Sequence, residues 1–178
     1  MNKKMNFFSR LIYSILKVKS YPFMAKQGLK TALLYLLFFS VIFGAIQYFQ
    51  EGIEITQEAM IAISEEFSPT LFEKLENTLP IVLTITLILV SIVWFWVGKL
   101  ISAIIIGFIG KILSSIQKVN IPFKSLYIMA IYSLTLPSIL NVFCLVIFDV
   151  YFPFYLYYLL SAFYLWFGIN NYKVQFEK

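Results

Sequence analysis

Apolar positions along this chain fall into long, nearly uninterrupted runs separated by short polar stretches. The longest is Pro80 to Gly110, whose one charged residue is Lys99. A helix rises about 1.5 Å per residue, so Pro80 to Lys99 extends over about 28 Å, close to the roughly 30 Å hydrocarbon thickness of a bilayer. Trp94 and Trp96 lie just before Lys99, where amphipathic rings favour the headgroup level and a lysine stem can reach water. Residues 80–99 are therefore expected to cross a membrane. Three further runs predict crossings at 29–49, 126–148 and 153–169. The expected fold class is all-α, an integral membrane bundle of four transmembrane helices forming a single membrane domain over 1–178, with an added amphipathic N-terminal helix.

That N-terminal helix is read from residues 5–19. Phe7, Phe8, Leu11, Ile12, Ile15 and Leu16 share one helical face, with Arg10, Ser14 and Lys17 opposite, the pattern of a helix lying in the membrane interface. Pro22 disfavours a helical backbone at the residue before it, so Ser20-Tyr21-Pro22 is expected to break this helix. Beyond Lys99, Ala103, Gly107, Gly110, Lys111, Ser114 and Lys118 fall on one helical side, and Ile101, Ile105, Phe108, Ile109, Ile112 and Ile116 on the other. Two readings follow. The preferred one continues the helix to about residue 117 along the inner interface, with the small and polar side toward water. The alternative keeps Lys99 inside the bilayer and makes Ala103, Gly107 and Gly110 a close-packing face for another span.

Charge orients the spans. The first thirty residues carry Lys3, Lys4, Arg10, Lys17, Lys19, Lys26 and Lys30 and no acid, which favours the cytoplasmic side. Residues 50–79 carry Glu51, Glu54, Glu58, Glu65, Glu66, Glu73 and Glu76 against Lys74 alone, which suits an extracytoplasmic segment. Ser68-Pro69-Thr70, with Glu73 three residues after Thr70, reads as a helix start with a capping box. Lys111, Lys118 and Lys124 mark an inner loop that turns at Asn120-Ile121-Pro122, Asp149 to Pro153 forms a tight outer hairpin, and Lys173 marks the inner face again. Both termini are thus expected on the cytoplasmic side of the membrane the chain crosses, and the start lacks the pattern of a cleaved signal peptide.

Composition narrows the function classes. With 61% apolar and 13% charged residues, the chain lacks the polar surface of a water-soluble domain. The net charge of +5 sits beside the apolar spans, so nucleic acid is not an expected partner. The expected partners are the bilayer, with anionic lipids at its inner face, and a protein partner or a second copy of the chain. Cys144 is the single cysteine and there is no histidine, which removes an internal disulfide and any zinc site built on histidine. No cofactor and no metal are expected.

Two stretches, Lys19 to Leu37 (KSYPFMAKQGLKTALLYLL) and Ile121 to Leu140 (IPFKSLYIMAIYSLTLPSIL), carry a resemblance. The chain resembles a Gram-positive bacterial family of small multi-pass membrane proteins of unknown function, sometimes labelled maltodextrin-utilisation membrane proteins and distantly similar to the Yip family. The Tyr-Pro turn before a Lys-Thr-led first span and the Tyr-x-Leu-Thr-Leu-Pro of the third are the specific parts. The outer segment is shorter than is usual in that family. The resemblance implies a sugar-utilisation setting and brings no catalytic residues.

Polar groups within spans are the functional candidates, because hydrocarbon makes them costly. Lys99 is read as a snorkelling side chain in preference to a catalytic or ion-path lysine. Ala130, Ser133, Pro137, Asn141 and Cys144 share one helical face, expected to pack closely and to hydrogen-bond across helices, with Ile131 and Leu140 on other sides. Pro137 removes one helical hydrogen bond and predicts a kink. Glu54, Glu58 and Glu65 share a face but lack the spacing of a calcium loop. No phosphate-cradling glycine loop, metalloprotease pair or nucleophile elbow occurs. An adaptor or accessory subunit is the leading expectation, a small transporter or channel component with a site at the Pro137 break the alternative, and an enzyme is not expected.

The charge pattern predicts Glu58 and Phe152 outside and Val119 and Tyr172 inside. Cysteine labelling in a Cys144→Ser background checks this, and labelling of Val119→Cys from outside would overturn the orientation.

Overall fold

The structure, a computed structural model, describes residues 5–66 and 77–176; the Ser68–Glu73 capping box lies outside them. All regular structure among the described residues is helical: α1 (Phe7–Leu16), a 3-10 turn (Val18–Ser20), α2 (Tyr21–Lys26), α3 (Leu29–Gln47), a π-type turn (Tyr48–Gly52), α4 (Ile53–Glu66), α5 (Leu79–Ile116), α6 (Phe123–Ser133), α7 (Thr135–Phe148) and α8 (Phe154–Phe176). Three helical stretches are long and apolar enough to cross a membrane: Leu29–Glu65, Leu79–Ile116 and Phe123–Phe148. The fourth expected span corresponds to α8, a 23-residue helix that is not among these three. Its tyrosines, with Asn170 and Asn171, dilute its apolar character.

The chain divides into two compact units, one formed by residues up to Phe38 together with those from Val97, the other by Phe39–Trp96. In the first, α6 is enclosed beyond its first turn: Leu126, Ile128, Met129, Ala130, Ile131, Tyr132 and Ser133 are all inaccessible. This corrects the one-sided reading of the third span. Ile131, expected on another side, is as buried as Ala130, because neighbours surround the helix. The helix is interrupted at Leu134, and α7 begins at Thr135 with Pro137 in its first turn, where the missing N–H is tolerated.

Turns obey local stereochemistry. The α5 helix closes with Lys118 in the left-handed region (φ 56°); the N–H of Val119 bonds the Ser114 carbonyl at 2.9 Å and that of Lys118 bonds Ser115 at 3.1 Å, a Schellman ending. Asp149 (φ 52°) ends α7 in the same region, which short polar side chains tolerate best after glycine. The N-terminal arm departs from expectation at Tyr21. Helix α1 already ends at Lys17 (φ −128°, ψ 66°), while Tyr21 is itself helical (φ −56°, ψ −46°). Pro22 sits in the first turn of α2, so the Tyr-Pro pair starts a helix.

In the second unit, helix continues past Glu51 into α4, in line with the helical spacing of Ile53, Met60 and Ile63. A π-type turn takes up the irregularity. A Cβ at Gly52 would overlap the Tyr48 ring, so glycine leaves the space that the ring fills. The Tyr48 hydroxyl donates to Thr84 Oγ1 at 3.2 Å and lies 3.4 Å from Thr56 Oγ1, which in turn donates to the Gly52 carbonyl at 2.6 Å. In the same unit Phe39, Phe43 and Phe95 cluster, with centroid separations of 4.2 to 6.3 Å. At Gly44 the helices approach so closely that a Cβ would lie 2.8 Å from the Ile92 Cα. Along α5, Ile81, Val82, Ile85, Leu89, Val90 and Val93 are exposed and Trp94 is 76% exposed, an apolar surface suited to lipid.

Gly44→Leu is expected to destabilise the protein by about 1–3 kcal/mol, since overpacking meets backbone. Gly98→Ala, whose Cβ meets nothing within 4 Å, should be neutral or stabilising by up to about 1 kcal/mol through helix propensity. Thermal unfolding in detergent compares them; equal losses would mean that close approach at Gly44 does not set stability.

Candidate functional site

Within the first unit, residues from Lys99 onward in α5 meet α6, α7 and α8 along a series of contacts. The Lys99 Nζ donates to the Tyr157 hydroxyl at 2.8 Å, and the Ser102 and Tyr158 hydroxyls lie 3.1 Å apart. A Cβ at Gly107 would touch the Phe123 ring, and one at Gly110 would press on Leu165 at 2.7 Å. At the far end, Gln117 Nε2 donates to the Trp166 carbonyl, while Lys173 Nζ donates to the carbonyl of Gln117, each at 3.2 Å. Numbers rise together on α5 and α8, so these two helices run in the same direction, and α6–α7 returns between them in sequence.

This packing turns Ala103, Gly107 and Gly110 inward, the contact face of the alternative reading of residues 100–117. On the small and polar side, Ala103, Gly107, Gly110 and Ser114 are buried, while Lys111 and Lys118 are exposed. Ile101, Ile105, Phe108, Ile112 and Ile116 point outward, each at least 42% exposed. Small residues let backbones approach, and bulky apolar ones face the surroundings, the arrangement lipid selects.

The polar centre of this unit is a tyrosine. Tyr157 is 7% exposed; its hydroxyl accepts from Lys99 and lies 2.9 Å from Ser138 Oγ. Lys99 is half-buried, and its Nζ also sits 4.4 Å from the Tyr157 ring centroid. Next to it, Ser102 Oγ donates to the Gly98 carbonyl at 2.9 Å, so the Tyr158 hydroxyl supplies the proton for the bond that joins them. Lys99, Asn141, Phe152, Phe154, Tyr157 and Tyr158 line an open recess of about 190 Å³.

Of the four candidate positions read from sequence, Lys99 and Asn141 share this recess. Asn141 Oδ1 accepts from the Phe152 N–H at 3.1 Å, so its amide ties down the α7–α8 turn, where a bond to another helix was expected. Ser133 and Pro137 lie apart from the recess and are buried. Ser133 Oγ donates to the Ala130 carbonyl at 2.9 Å. Sequence reasoning passed over Tyr157, Tyr158, Ser102 and Ser138. The available signal was the cost of a phenol hydroxyl in hydrocarbon, which demands a partner.

A second polar chain anchors the N-terminal arm. The Tyr35 hydroxyl lies 2.9 Å from Thr135 Oγ1 and 3.4 Å from Ser14 Oγ, and Tyr21 donates to the Ser14 carbonyl at 2.8 Å. Complete burial raises the Tyr21 pKa well above its ordinary value, which keeps the phenol a donor. Arg10 Nη2 donates to Gln27 Oε1 at 2.8 Å, tying α1 to the end of α2. Among the described residues no group of three or more His, Cys, Asp or Glu could hold a metal ion.

An all-helical chain with three apolar helices of spanning length, small residues turned inward and bulky ones outward, is consistent with a membrane protein. Residues 64–169, more than half of the chain, match the family described as "Protein of unknown function (DUF1189)", and the chain belongs to that family. The stretch Ile121–Leu140 lies within the match, and Lys19–Leu37 precedes it. No curated protein and no solved structure matched the chain.

Lys99→Leu is expected to leave insertion and orientation unchanged, because other positive charges remain at the lysine-rich end. Tyr157→Phe removes the acceptor of the Lys99 bond and the partner of Ser138, at an expected cost of about 1–3 kcal/mol. A double-variant cycle read by thermal unfolding should give a coupling of about 0.5–3 kcal/mol. Strictly additive losses would show that the two side chains do not act together.

Proposed function

We propose that this chain is a four-span adaptor or accessory subunit of the bacterial cell membrane, with both termini cytoplasmic and α8 as the fourth span. The crossing by α5 includes Lys99 to Ile116, a reading supported by the inward packing of Ala103, Gly107 and Gly110. The observation that carries the adaptor reading is the state of the Pro137 break. Its polar neighbours are engaged within the protein: Ser133 with Ala130, Thr135 with Tyr35, and Ser138 with Tyr157. A transporter built on that break needs groups free to meet a solute, so the geometry favours the adaptor.

The docking element is α4, where Glu54, Glu58 and Glu65 are exposed alongside Ile55 (48%) and Ile61 (61%). Exposed carboxylates interleaved with aliphatic side chains suit a protein partner carrying basic residues. The resemblance to maltodextrin-utilisation membrane proteins, and more distantly to the Yip family, supplies the setting: a Gram-positive membrane with sugar-utilisation machinery. A photocrosslinker at Ile61 should capture one protein at fixed stoichiometry from native membranes, and Glu54→Lys with Glu58→Lys should abolish that capture. Proteoliposomes should show no uptake of labelled maltooligosaccharide or of a cation tracer above empty vesicles; uptake would overturn the adaptor reading in favour of transport.

A further inference from the structure

The N-terminal arm and the end of α8 enclose a groove that neither the adaptor reading nor the tyrosine cluster uses. Leu16, Lys17, Val18, Lys19, Phe167 and Asn171 line it, and its volume is about 510 Å³, within the roughly 300–1,000 Å³ of small-molecule sites. Two features of its chemistry stand out. One lip is cationic, built from Lys17 and Lys19; the walls are apolar, built from Leu16, Val18 and Phe167.

Helix α1 explains how a ligand would arrive. Its inner face packs on the unit through Phe7, whose ring lies 5.4 Å from that of Tyr35, and through buried Ser14. Its outer face presents Phe8 (70% exposed), Ile12 (49%) and Leu16 (75%), spaced four residues apart in one stripe. Such a stripe lies in the acyl-headgroup boundary of a leaflet. Leu16, the last member, opens directly onto the groove. The Lys17 ammonium is held 4.8 Å from the Tyr13 ring centroid. The Asn171 amide nitrogen donates to the Phe167 carbonyl at 2.7 Å, which leaves its oxygen as the acceptor for a headgroup hydroxyl.

We propose that this groove binds an anionic glycerophospholipid, with the phosphodiester at Lys17 and Lys19 and an acyl chain along Leu16, Val18 and Phe167. The proposal rests on the membrane reading of the chain and is independent of its role as an adaptor. A zwitterionic lipid would bring its own ammonium toward two lysines, and free phosphate would leave the apolar walls unused. Lysines near an anionic leaflet each favour binding, and the groove adds a place for one molecule to settle.

The full chain in neutral detergent, titrated with phosphatidylglycerol, phosphatidylcholine or glycerol 3-phosphate, tests this through its unfolding temperature. Phosphatidylglycerol should raise it saturably and the other two should not. Lys17→Gln with Lys19→Gln should move half-saturation about tenfold or more toward higher lipid, from the loss of two favourable charges. Lys111→Gln with Lys124→Gln, removing two exposed lysines elsewhere, should move it no more than about twofold. Asn171→Asp, which sets a carboxylate at the lip, should weaken binding like the first pair and serves if that pair does not fold. An equal shift from the Lys111/Lys124 pair would mean diffuse attraction and no groove site. Stabilisation by glycerol 3-phosphate as strong as by the lipid, or none by phosphatidylglycerol, would also overturn the proposal.

Discussion

Helices surrounded by hydrocarbon gain nothing hydrophobic by touching one another, so a bundle in lipid depends on close approach and on hydrogen bonds between side chains. Both are concentrated here at few positions. Gly110 admits Leu165, and Gly44 brings the backbone of α3 against that of α5 at Ile92. The hydrogen bonds converge on tyrosines: Tyr157 joins Lys99 to Ser138, Tyr35 reaches Thr135, and Tyr48 reaches Thr84. A phenol suits this task because its ring is at home among apolar neighbours while its hydroxyl requires a partner when buried.

The same constraint explains how the chain accommodates Pro137. A proline in a helix interior displaces a backbone hydrogen bond, and hydrocarbon cannot replace it. Here the chain stops one helix at Ser133, turns at Leu134 and restarts at Thr135, so Pro137 falls in a first turn. The hydroxyls of Thr135 and Ser138, brought to the surface of the new helix, meet Tyr35 and Tyr157 from two other helices. The irregularity thereby becomes a junction of α3, α7 and α8 within one unit. Among the described residues, polar groups open to the surroundings line a recess beside Lys99 and another beside Lys17 and Lys19.

The N-terminal arm links that junction to the lysine-rich end. Tyr21, fully buried, supports α1 through the Ser14 carbonyl, and its ring closes on Gly168, where a Cβ would lie 2.8 Å from the Tyr21 Cδ2. The Tyr-Pro pair thus matters twice: the proline begins α2 and the tyrosine fastens the arm to α8. Helix α1, attached this way, presents Phe8, Ile12 and Leu16 in a fixed direction.

The sequence by itself determined the helical character, the long apolar stretches, the turns near Asn120 and Asp149, and the uneven distribution of lysine and glutamate. Each follows from local stereochemistry or from the solvent a segment requires. Only the tertiary structure decided which face of residues 100–117 is inside, that Ile131 is as enclosed as Ala130, and that Lys99 meets Tyr157. The physical reason is an inversion of the usual signal. In water, hydrophobic contrast marks the buried face of a helix; beside lipid, bulky apolar residues point outward and small or hydroxyl-bearing ones pack, so a stripe of Ala103, Gly107, Gly110 and Ser114 reads equally as a wet face or a contact. Bonds such as Lys99 to Tyr157, 58 residues apart in sequence, have no local signature at all, and only the folded chain brings their partners together.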